Sequence, residues 1–234
     1  YLSYGAYPRA DGSMVFPRGL WNGVTQREQA LDLGDIREDS AHAWLDDIGG
    51  PRHPADGQTQ PLLEKPDAYT WNKAPRLAGA VLETGAIARQ LMAGQPLLRD
   101  AVARCSATVY TRVLARLLEL AQVVPLMESW LIALRPGEPY YRAAALPDSG
   151  RAVGLTEAAR GALGHWLEVE QGRISRYQII APTTWNFSPR DAQGRPGALE
   201  QALQGALVLP GEKSPVAVQH IVRSFDPCMV CTVH

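Results

Sequence analysis

Cysteine is scarce in this chain, because its 234 residues include three, at positions 105, 228 and 231. So small and odd a number excludes a disulfide scaffold and indicates thiols that are kept reduced or that hold a metal. The chain also lacks an excess of charge, with 23 basic against 24 acidic residues and a net charge of -1. Nucleic acids and anionic membranes are bound by concentrated basic surfaces, so neither is expected as the main partner.

Long apolar runs are missing too. The most apolar stretch, residues 117–134, carries Glu119, Pro125 and Glu128 and falls short of the ~20 apolar residues that a membrane-spanning helix needs. We therefore expect no direct membrane span. The sequence has no internal repeat. It also has no signal peptide and begins without a methionine, so we expect a chain that has been processed, split or truncated. Its hydrophobic content of 46% is sufficient for a buried core.

The periodicity of apolar residues predicts helices and strands in succession. Residues 1–24 alternate like a hairpin that turns at Asp11-Gly12, and residues 25–66 have the composition of surface loops. The later expectations are helices over 76–93 and 100–134, a loop over 136–154, strands over 163–169 and 173–180, a helix over 198–209 and an apolar segment over 215–225. Cys105 lies inside the second helix, where we expect a small buried hydrophobe.

The last nine residues carry the strongest chemical signal. They read Asp226-Pro227-Cys228-Met229-Val230-Cys231-Thr232-Val233-His234. A Cys-x-x-Cys turn places two thiols on one side of a loop, where thiolates hold a soft metal ion or bridge two metals. Pro227 disfavours a helical conformation at Asp226, so the preceding segment should end there. Half of a zinc site and a redox pair are the ordinary alternatives.

This ending resembles that of the large subunit of [NiFe] hydrogenases, whose mature chains close with Asp-Pro-Cys-x-x-Cys-x-x-His. The resemblance extends over nearly the whole chain through separate blocks in the family's order. These are Leu2-Ser3-Tyr4-Gly5, Trp71 with Lys73-Ala74-Pro75-Arg76, Thr156-Glu157-Ala158 with Arg160 to Trp166, Ala181 to Asn186, and Pro189-Arg190-Asp191. The family's first Arg-x-Cys-x-x-Cys pair is lacking. The resemblance therefore implies that residues 1–234 form the C-terminal half of a large-subunit domain, without its N-terminal half.

The resemblance implies a nickel-iron centre with cyanide and carbonyl ligands on iron. Cys228 would be a terminal nickel ligand, and Cys231 would bridge nickel to iron. Soft thiolate sulfur stabilises low-valent nickel and can accept a proton when hydrogen is split heterolytically. Cys228 is the better candidate for that base, because a bridging sulfur has already donated electron density to two metals.

Arg160 is the second catalytic candidate by resemblance. In the family this arginine projects over the open side of the metals and hydrogen-bonds an iron-bound cyanide, and its five fixed donors suit a carboxylate as well. Asp226 is the expected carboxylate partner. The alternative is a structural buried ion pair that holds the tail in place. Ala159 stands where the commonest family pattern has proline, which would loosen the backbone and enlarge the pocket.

The family also implies contacts to the diatomic ligands. Thr183 would donate its hydroxyl to the second cyanide, while Ala181 and Pro182 would line an apolar pocket for the carbonyl ligand, because cyanide accepts strong hydrogen bonds and carbon monoxide does not. Without the resemblance, residues 181–185 indicate a strand end and a turn.

His234 has two interpretations. It could be a solvated terminal imidazole, or, as the family implies, it binds magnesium or a similar ion with the backbone carbonyl of Ile179 and a glutamate of the missing half. The other histidines are expected to be structural or surface groups, with His220 as a candidate proton relay. Lys73, Arg76 and Glu83 are assigned to the scaffold beside the site, since a Lys-x-x-Arg pair usually forms a solvated or ion-paired face.

The expected fold is mainly α with peripheral β-hairpins, an α+β arrangement around a long-helix core. The expected function is reversible cleavage of H2 to protons and electrons. Three cysteines cannot ligate both this centre and an iron-sulfur relay, so a small iron-sulfur subunit is implied as partner, together with the missing N-terminal half.

The Glu-Ala-Ala-Arg-Gly block favours a hydrogen-sensing, cytoplasmic type. The alternative is a respiratory uptake enzyme, associated with the membrane on its periplasmic side. Alternatives from other classes are a non-catalytic interaction subunit and a zinc or redox Cys-x-x-Cys module.

Overall fold

The structure, a computed structural model, describes residues 1–139, 141, 143–145 and 147–229. Its strands are β1 Leu2–Pro8, β2 Met14–Asn22, β3 Arg27–Gln29, β4 Ile36–Asp39, β5 Ala74–Leu77, β6 Gly150–Ala158, β7 Gly161–Glu170 and β8 Arg173–Ile180. Its α-helices are α1 Ala86–Met92, α2 Pro96–Cys105, α3 Val109–Ala133, α4 Pro182–Asn186, α5 Ala198–Leu203 and α6 Val216–Ser224, and 3-10 turns cover Leu33–Asp35 and Pro54–Asp56. Helices and antiparallel strands together confirm the α+β prediction.

Three small antiparallel sheets organise the strands: β1-β2-β3, β4-β5 and β6-β7-β8. The predicted hairpin at the start of the chain is confirmed, because β1 pairs with β2 from Leu2 opposite Leu20 to Pro8 opposite Met14. Strand β7 lies at the centre of the third sheet and joins β6 through a turn of two residues, Ala159 and Arg160. This tight turn fixes where Arg160 leaves the sheet.

Two apolar clusters form the core. One joins the sheets to the segment after β8 and contains the two largest fully buried side chains, Trp166 and Trp185. The other packs α1, α2 and α3 against β2 around Trp21, Leu91 and Leu98. Helix α1 contacts members of both the first and the third sheet, so it connects the helical layer to the hairpin that carries Arg160.

The helix expected over 100–134 is two helices. Helix α2 ends at Cys105, Ser106 adopts a φ of +58°, and Thr108 begins α3 with a capping box in which its side chain and that of Thr111 each accept from the other's backbone N–H. The expectation of a buried Cys105 is wrong, because this residue is exposed at the end of α2. The helical pattern alone did not show the break that turns it to solvent.

Other boundaries differ from the sequence predictions. The helix predicted over 76–93 begins at Ala86, since Arg76 and Leu77 belong to β5 and a turn through Ala78, with a φ of +49°, follows them. The loop expected over 136–154 contains the start of β6, a largely exposed strand without apolar alternation. The helix expected over 198–209 ends at Leu203. The apolar segment 215–225 is mostly helix α6, and the loop region 25–66 includes β3 and β4.

Helix α3 leaves much of its apolar surface exposed. The exposed side chains include Leu117, Leu120, Val124, Met127 and Leu131. Such a face is usually covered by another part of an assembly. In the part of the chain that the structure describes, no helix is both long and apolar enough to cross a membrane.

Candidate metal centre

Arg160 projects from the tip of the β6–β7 hairpin toward the segment that follows α6. Its Nε lies 3.6 Å from Oδ1 of Asp226, and the two side chains are 42% and 44% exposed. This distance is that of an ion pair and is too long for a strong hydrogen bond. The predicted pairing of the two residues is therefore present, and in this half-length chain the pair is half-exposed.

Helix α3 holds the end of α6. Arg116 donates from Nη1 to the carbonyl of Ser224 at 2.7 Å, and the guanidinium of Arg112 lies 3.7 Å from the ring centroid of Phe225. Asp226 then takes a φ of +53°, so the helix has ended before Pro227, as the sequence predicted. These contacts direct the chain away from α6 toward the hairpin tip.

Thr183 lies at the point where the described chain ends. Its side chain is buried, and its hydroxyl oxygen accepts from the backbone N–H of Cys228 at 3.3 Å. Cys228 itself is half-buried. In this hydrogen bond the hydroxyl acts as the acceptor, and a hydroxyl group also carries one hydrogen that it can donate.

Residues 181–185 do not form the strand end and turn that their composition indicated. They enter helix α4, with Pro182 at its first position. Asn186 fixes this short helix, because its amide accepts from the N–H of Thr84 at 2.9 Å and donates to the carbonyl of Thr84 at 3.1 Å. Pro182 is buried and Ala181 half-buried, which agrees with an apolar lining beside Thr183.

The hairpin tip approaches the start of α1 closely. The hydroxyl of Thr84 accepts from the N–H of Ala162 at 2.6 Å. A Cβ added to Gly161 would lie 2.4 Å from that hydroxyl and 2.6 Å from the nitrogen of Gly85. Only glycine permits this approach, so Gly161 fixes the tip against α1.

A buried arginine that the sequence analysis did not single out, Arg89, supports the same tip. It donates to the carbonyls of Ala158 and Ala159 and is paired with Glu119 and Glu157. The signal in the sequence was a single charged residue within the apolar run of α1, where every residue is buried. A charge in such a place requires partners, and these lie beside Arg160.

Lys73 and Arg76 do not form a solvated face, because both are buried. Lys73 pairs with Glu38, and burial raises the pKa of Glu38 although Lys73 opposes this. Arg76 donates to Asp191 at 3.0 Å. Burial would raise the pKa of Asp191, but the backbone N–H of Arg195 and the Arg76 guanidinium outweigh it and lower the pKa. The Lys73 pair joins the start of β5 to β4, and the Arg76 pair joins β5 to the segment after α4.

The residues predicted for a second metal are only partly within the described chain. Ile179 is half-exposed and lies opposite His165 in the β7–β8 ladder. His165 stacks on Tyr177, with Nδ1 2.6 Å from the phenol oxygen, as expected of a structural group. Cys231 and His234 lie outside the described residues. Within the described ranges no three His, Cys, Asp or Glu side chains converge as a metal site.

The donor set nevertheless fits a thiolate-bound metal with diatomic anionic ligands. Cys228 is a half-buried cysteine, the hydroxyl of Thr183 lies beside it, and the partly exposed guanidinium of Arg160 pairs with Asp226, two residues earlier. Thiolates prefer soft metals, and the two donors suit anions bound to such a metal.

The family profile described as nickel-dependent hydrogenase matches residues 1–234. The chain belongs to this family. It is 32% identical to the periplasmic [NiFeSe] hydrogenase large subunit of Desulfomicrobium baculatum and 33% identical to the hydrogenase-1 large chain of Escherichia coli K12, over 100% of its own length and 49% and 47% of theirs. The chain thus spans about half the length of these relatives.

Solved structures of hydrogenases have the same fold as this chain. The Ni-Fe-Se hydrogenase of D. vulgaris Hildenborough in its as-isolated oxidised state superposes with a TM-score of 0.89 at 31% identity, covering 100% of this chain and 52% of that one. The hydrogenase fold is therefore established for the described residues.

Proposed function

We propose that this chain takes part in the heterolytic cleavage of H2 at a nickel-iron centre, as the C-terminal half of a hydrogenase large subunit. One observation carries the proposal: the structure brings Cys228 to Thr183, and Asp226, two residues earlier, to Arg160. A thiol, a hydroxyl group and a guanidinium from separate parts of the chain thus lie beside one short segment, which supports their proposed roles.

Cys228 and Cys231 would supply two thiolates of the centre, Cys228 to nickel alone and Cys231 as a bridge to iron. The described part of the chain contributes one of these sulfurs. The two thiolates beyond Cys228 and Cys231 would come from the remaining half of the large subunit, because Cys105 is exposed at the end of α2, remote in the chain from the tail. This donor set is the soft one that low-valent nickel prefers.

When bound, the centre would polarise H2 so that it separates into a proton and a hydride equivalent. The role of the protein is then to receive the proton and to exclude water. The Sγ of Cys228 is the proposed proton acceptor, because a terminal thiolate is more basic than a bridging one. Cys228 is half-buried beside Thr183, and this partial burial supports a site with restricted access of water.

Arg160 would orient or polarise H2 on the open side and donate to an iron-bound cyanide. The ion pair with Asp226 runs through Nε, and a guanidinium carries five N–H donors in all. Thr183 would donate to the second cyanide, and Ala181 with Pro182 would surround the carbonyl ligand. The burial of Pro182 and Thr183 in α4 supports this division between an apolar and a polar side.

A magnesium or similar ion would be held by His234 and the backbone carbonyl of Ile179. Support from the described residues is limited to Ile179, at the end of strand β8 and directly before Ala181. Binding there would tie the terminus to the residue block that lines the centre.

The partners would be the other half of the large subunit and a small iron-sulfur subunit. The exposed apolar face of α3, with Leu117, Leu120 and Val124 among its residues, supports a further protein layer over the helices. Three cysteines leave no ligands for an iron-sulfur relay within this chain, so the electrons must leave through another polypeptide.

Two biological roles fit this chemistry. Hydrogen sensing in the cytoplasm is supported by the Glu157 to Gly161 block alone. Respiratory uptake is supported by relatives of similar identity that are named uptake hydrogenases, such as that of Rhodobacter capsulatus at 32%. Turnover with dyes and quinones in the membrane fraction separates the two roles: rapid quinone-linked oxidation of H2 favours uptake, and slow turnover in the soluble fraction favours sensing.

Infrared spectroscopy of the purified, assembled complex tests the proposal. We expect bands of metal-bound cyanide and carbon monoxide that change when H2 is added, together with nickel in the metal analysis. Cys228→Ala should abolish both, whereas Cys105→Ala, at an exposed position, should preserve them. Zinc without such bands would favour a simple Cys-x-x-Cys module, and absence of nickel a non-catalytic subunit.

A further inference from the structure

The direction of the Arg160 side chain depends mainly on its backbone. The guanidinium is 42% exposed and its ion pair with Asp226 is 3.6 Å long. A long side chain with so loose a contact keeps much of its rotational freedom in isolation. Whatever fixes the backbone of the β6–β7 turn therefore determines where the guanidinium points.

The turn does not hold itself in place. Ala158 pairs with Gly161, so Ala159 and Arg160 form a hairpin loop of two residues. The loops of this length that match the twist of the strands require a positive φ at the first central residue or at both. Neither Ala159 nor Arg160 has one. The conformation of the turn must be maintained by contacts from outside the hairpin.

Arg89 of helix α1 provides those contacts with two of its five N–H groups, and the other three donate to carboxylates that hold the guanidinium in place. Nη1 donates to the carbonyl of Ala158 at 3.1 Å and Nη2 to that of Ala159 at 3.0 Å. The remaining three donate to Glu157 at 2.7 Å and to both carboxylate oxygens of Glu119, at 2.8 and 2.6 Å. The planar guanidinium thus fixes the two carbonyls that directly precede Arg160.

The other side of the turn is fixed by the start of α1 as well. Thr84 accepts from the N–H of Ala162 at 2.6 Å, and a Cβ on Gly85 would lie 3.0 Å from the carbonyl oxygen of Arg160. The backbone of Arg160 is therefore held from both sides by residues of helix α1 or directly before it: Arg89 on one side, and Thr84 and Gly85 on the other.

We propose that Arg89 is a positioning residue for Arg160: it holds the carbonyls of the hairpin tip so that the Arg160 guanidinium points over the metal centre. This inference rests on the proposed function, because the direction of Arg160 matters for the reaction only if it faces that centre. Arg89 touches neither the ligands nor H2 and acts through the backbone alone.

Arg89→Lys in the assembled complex is the direct test. Lysine keeps the charge near Glu157 but cannot reach both carbonyls and both carboxylates with one ammonium group. We expect the bands of iron-bound cyanide to shift or broaden, hydrogen oxidation to fall about 10- to 100-fold, and amide exchange around Gly161 to accelerate roughly tenfold. Metal content should be retained.

Arg76→Lys is the matched control, because Arg76 is equally buried and paired with Asp191 away from the hairpin tip. It should accelerate exchange near Asp191 and leave the cyanide bands unchanged. If Arg89→Lys does not assemble, Glu119→Gln gives a milder change, since it leaves Arg89 paired with Glu157; smaller effects of the same kind are expected.

These experiments distinguish the positioning role of Arg89 from the proposed function of the chain. Cyanide bands and tip exchange that are unaffected by Arg89→Lys, or by Glu119→Gln where only that variant assembles, contradict the positioning role and leave the proposed function standing. Absence of cyanide and carbonyl bands in the unmodified complex contradicts the proposed function and the positioning role together.

Discussion

The backbone N–H of Cys228 donates to the hydroxyl of Thr183 over 3.3 Å, which joins the end of the described chain to helix α4. This bond orients the hydroxyl, because its oxygen is engaged and its hydrogen must point elsewhere. Thr183 is buried among residues that the structure fixes through Asn186 and Thr84.

Thr183→Val should displace one of the cyanide bands in the infrared spectrum of the complex, because valine keeps the shape but removes the hydroxyl, and with it both the proposed donor to cyanide and the acceptor for the Cys228 N–H. The loss of a hydrogen bond to an anionic ligand corresponds to about 1.5–3 kcal/mol. Thr184→Val is the control, since Thr184 is the half-buried neighbour in the same helix. Equal spectra for both variants would remove Thr183 from the ligand pocket.

Arg160→Lys should lower hydrogen oxidation on the order of 100-fold while nickel and iron remain bound. A lysine ammonium cannot reproduce the fixed planar donors that the open side of the centre requires. Asp226→Asn should have a smaller effect, because the pair is half-exposed and 3.6 Å apart. The measurements are dye reduction under H2 and metal analysis, with the exposed Arg223→Lys as control; retained activity in Arg160→Lys would contradict the role.

Gly161→Ala should destabilise the complex by about 1–3 kcal/mol, because its Cβ would lie 2.4 Å from the Thr84 hydroxyl and 2.6 Å from the Gly85 nitrogen. A fall in Tm of several degrees is expected. Gly154→Ala, in the preceding strand, has open space around the added Cβ and should leave Tm unchanged. A similar Tm for the two variants would show that the tip does not need this close approach.

Asp191→Asn should loosen the segment after α4 in a pH-dependent manner. The pKa of Asp191 is lowered in the folded protein, so its charged form stabilises the fold above its usual pKa, and this contribution is lost as the pH falls through the lowered value. Breaking the buried pair with Arg76 costs about 3–5 kcal/mol. The difference in amide exchange near Asp191 between wild type and variant should be largest at neutral pH and shrink in acid. A difference independent of pH would rule out this linkage.

Several parts of the fold followed from the sequence alone. Strand β8 has the bounds that its β-branched and aromatic run predicted, Arg173–Ile180, and the first hairpin turns where Asp11-Gly12 indicated. These elements were predictable because their signals are local. The pairing of Arg160 with Asp226 was predictable only through the family resemblance, because the two residues are distant in the chain.

Other features could not be predicted because they depend on partners elsewhere in the chain. Strand β6 has no apolar alternation and is a strand because β7 pairs with it along its length. The Lys73 and Arg76 pair indicated a solvated or ion-paired face; the ion pairs with Glu38 and Asp191 are present, but the burial of both residues could not be predicted. Cys105 is exposed because its helix ends one residue before Ser106 turns into the left-handed region.

The sequence by itself determined which residues could carry the chemistry, because thiols, a guanidinium and a hydroxyl in the family's order identify the ligand types without coordinates. Only the tertiary structure decided how the hairpin tip is held. Arg89 lies within an apolar helix whose sequence gives no partner for its charge, and its five donors are satisfied by α3 and by the strand that leads to Arg160. A buried charge is stable only when distant segments supply its acceptors, and folding alone brings them together.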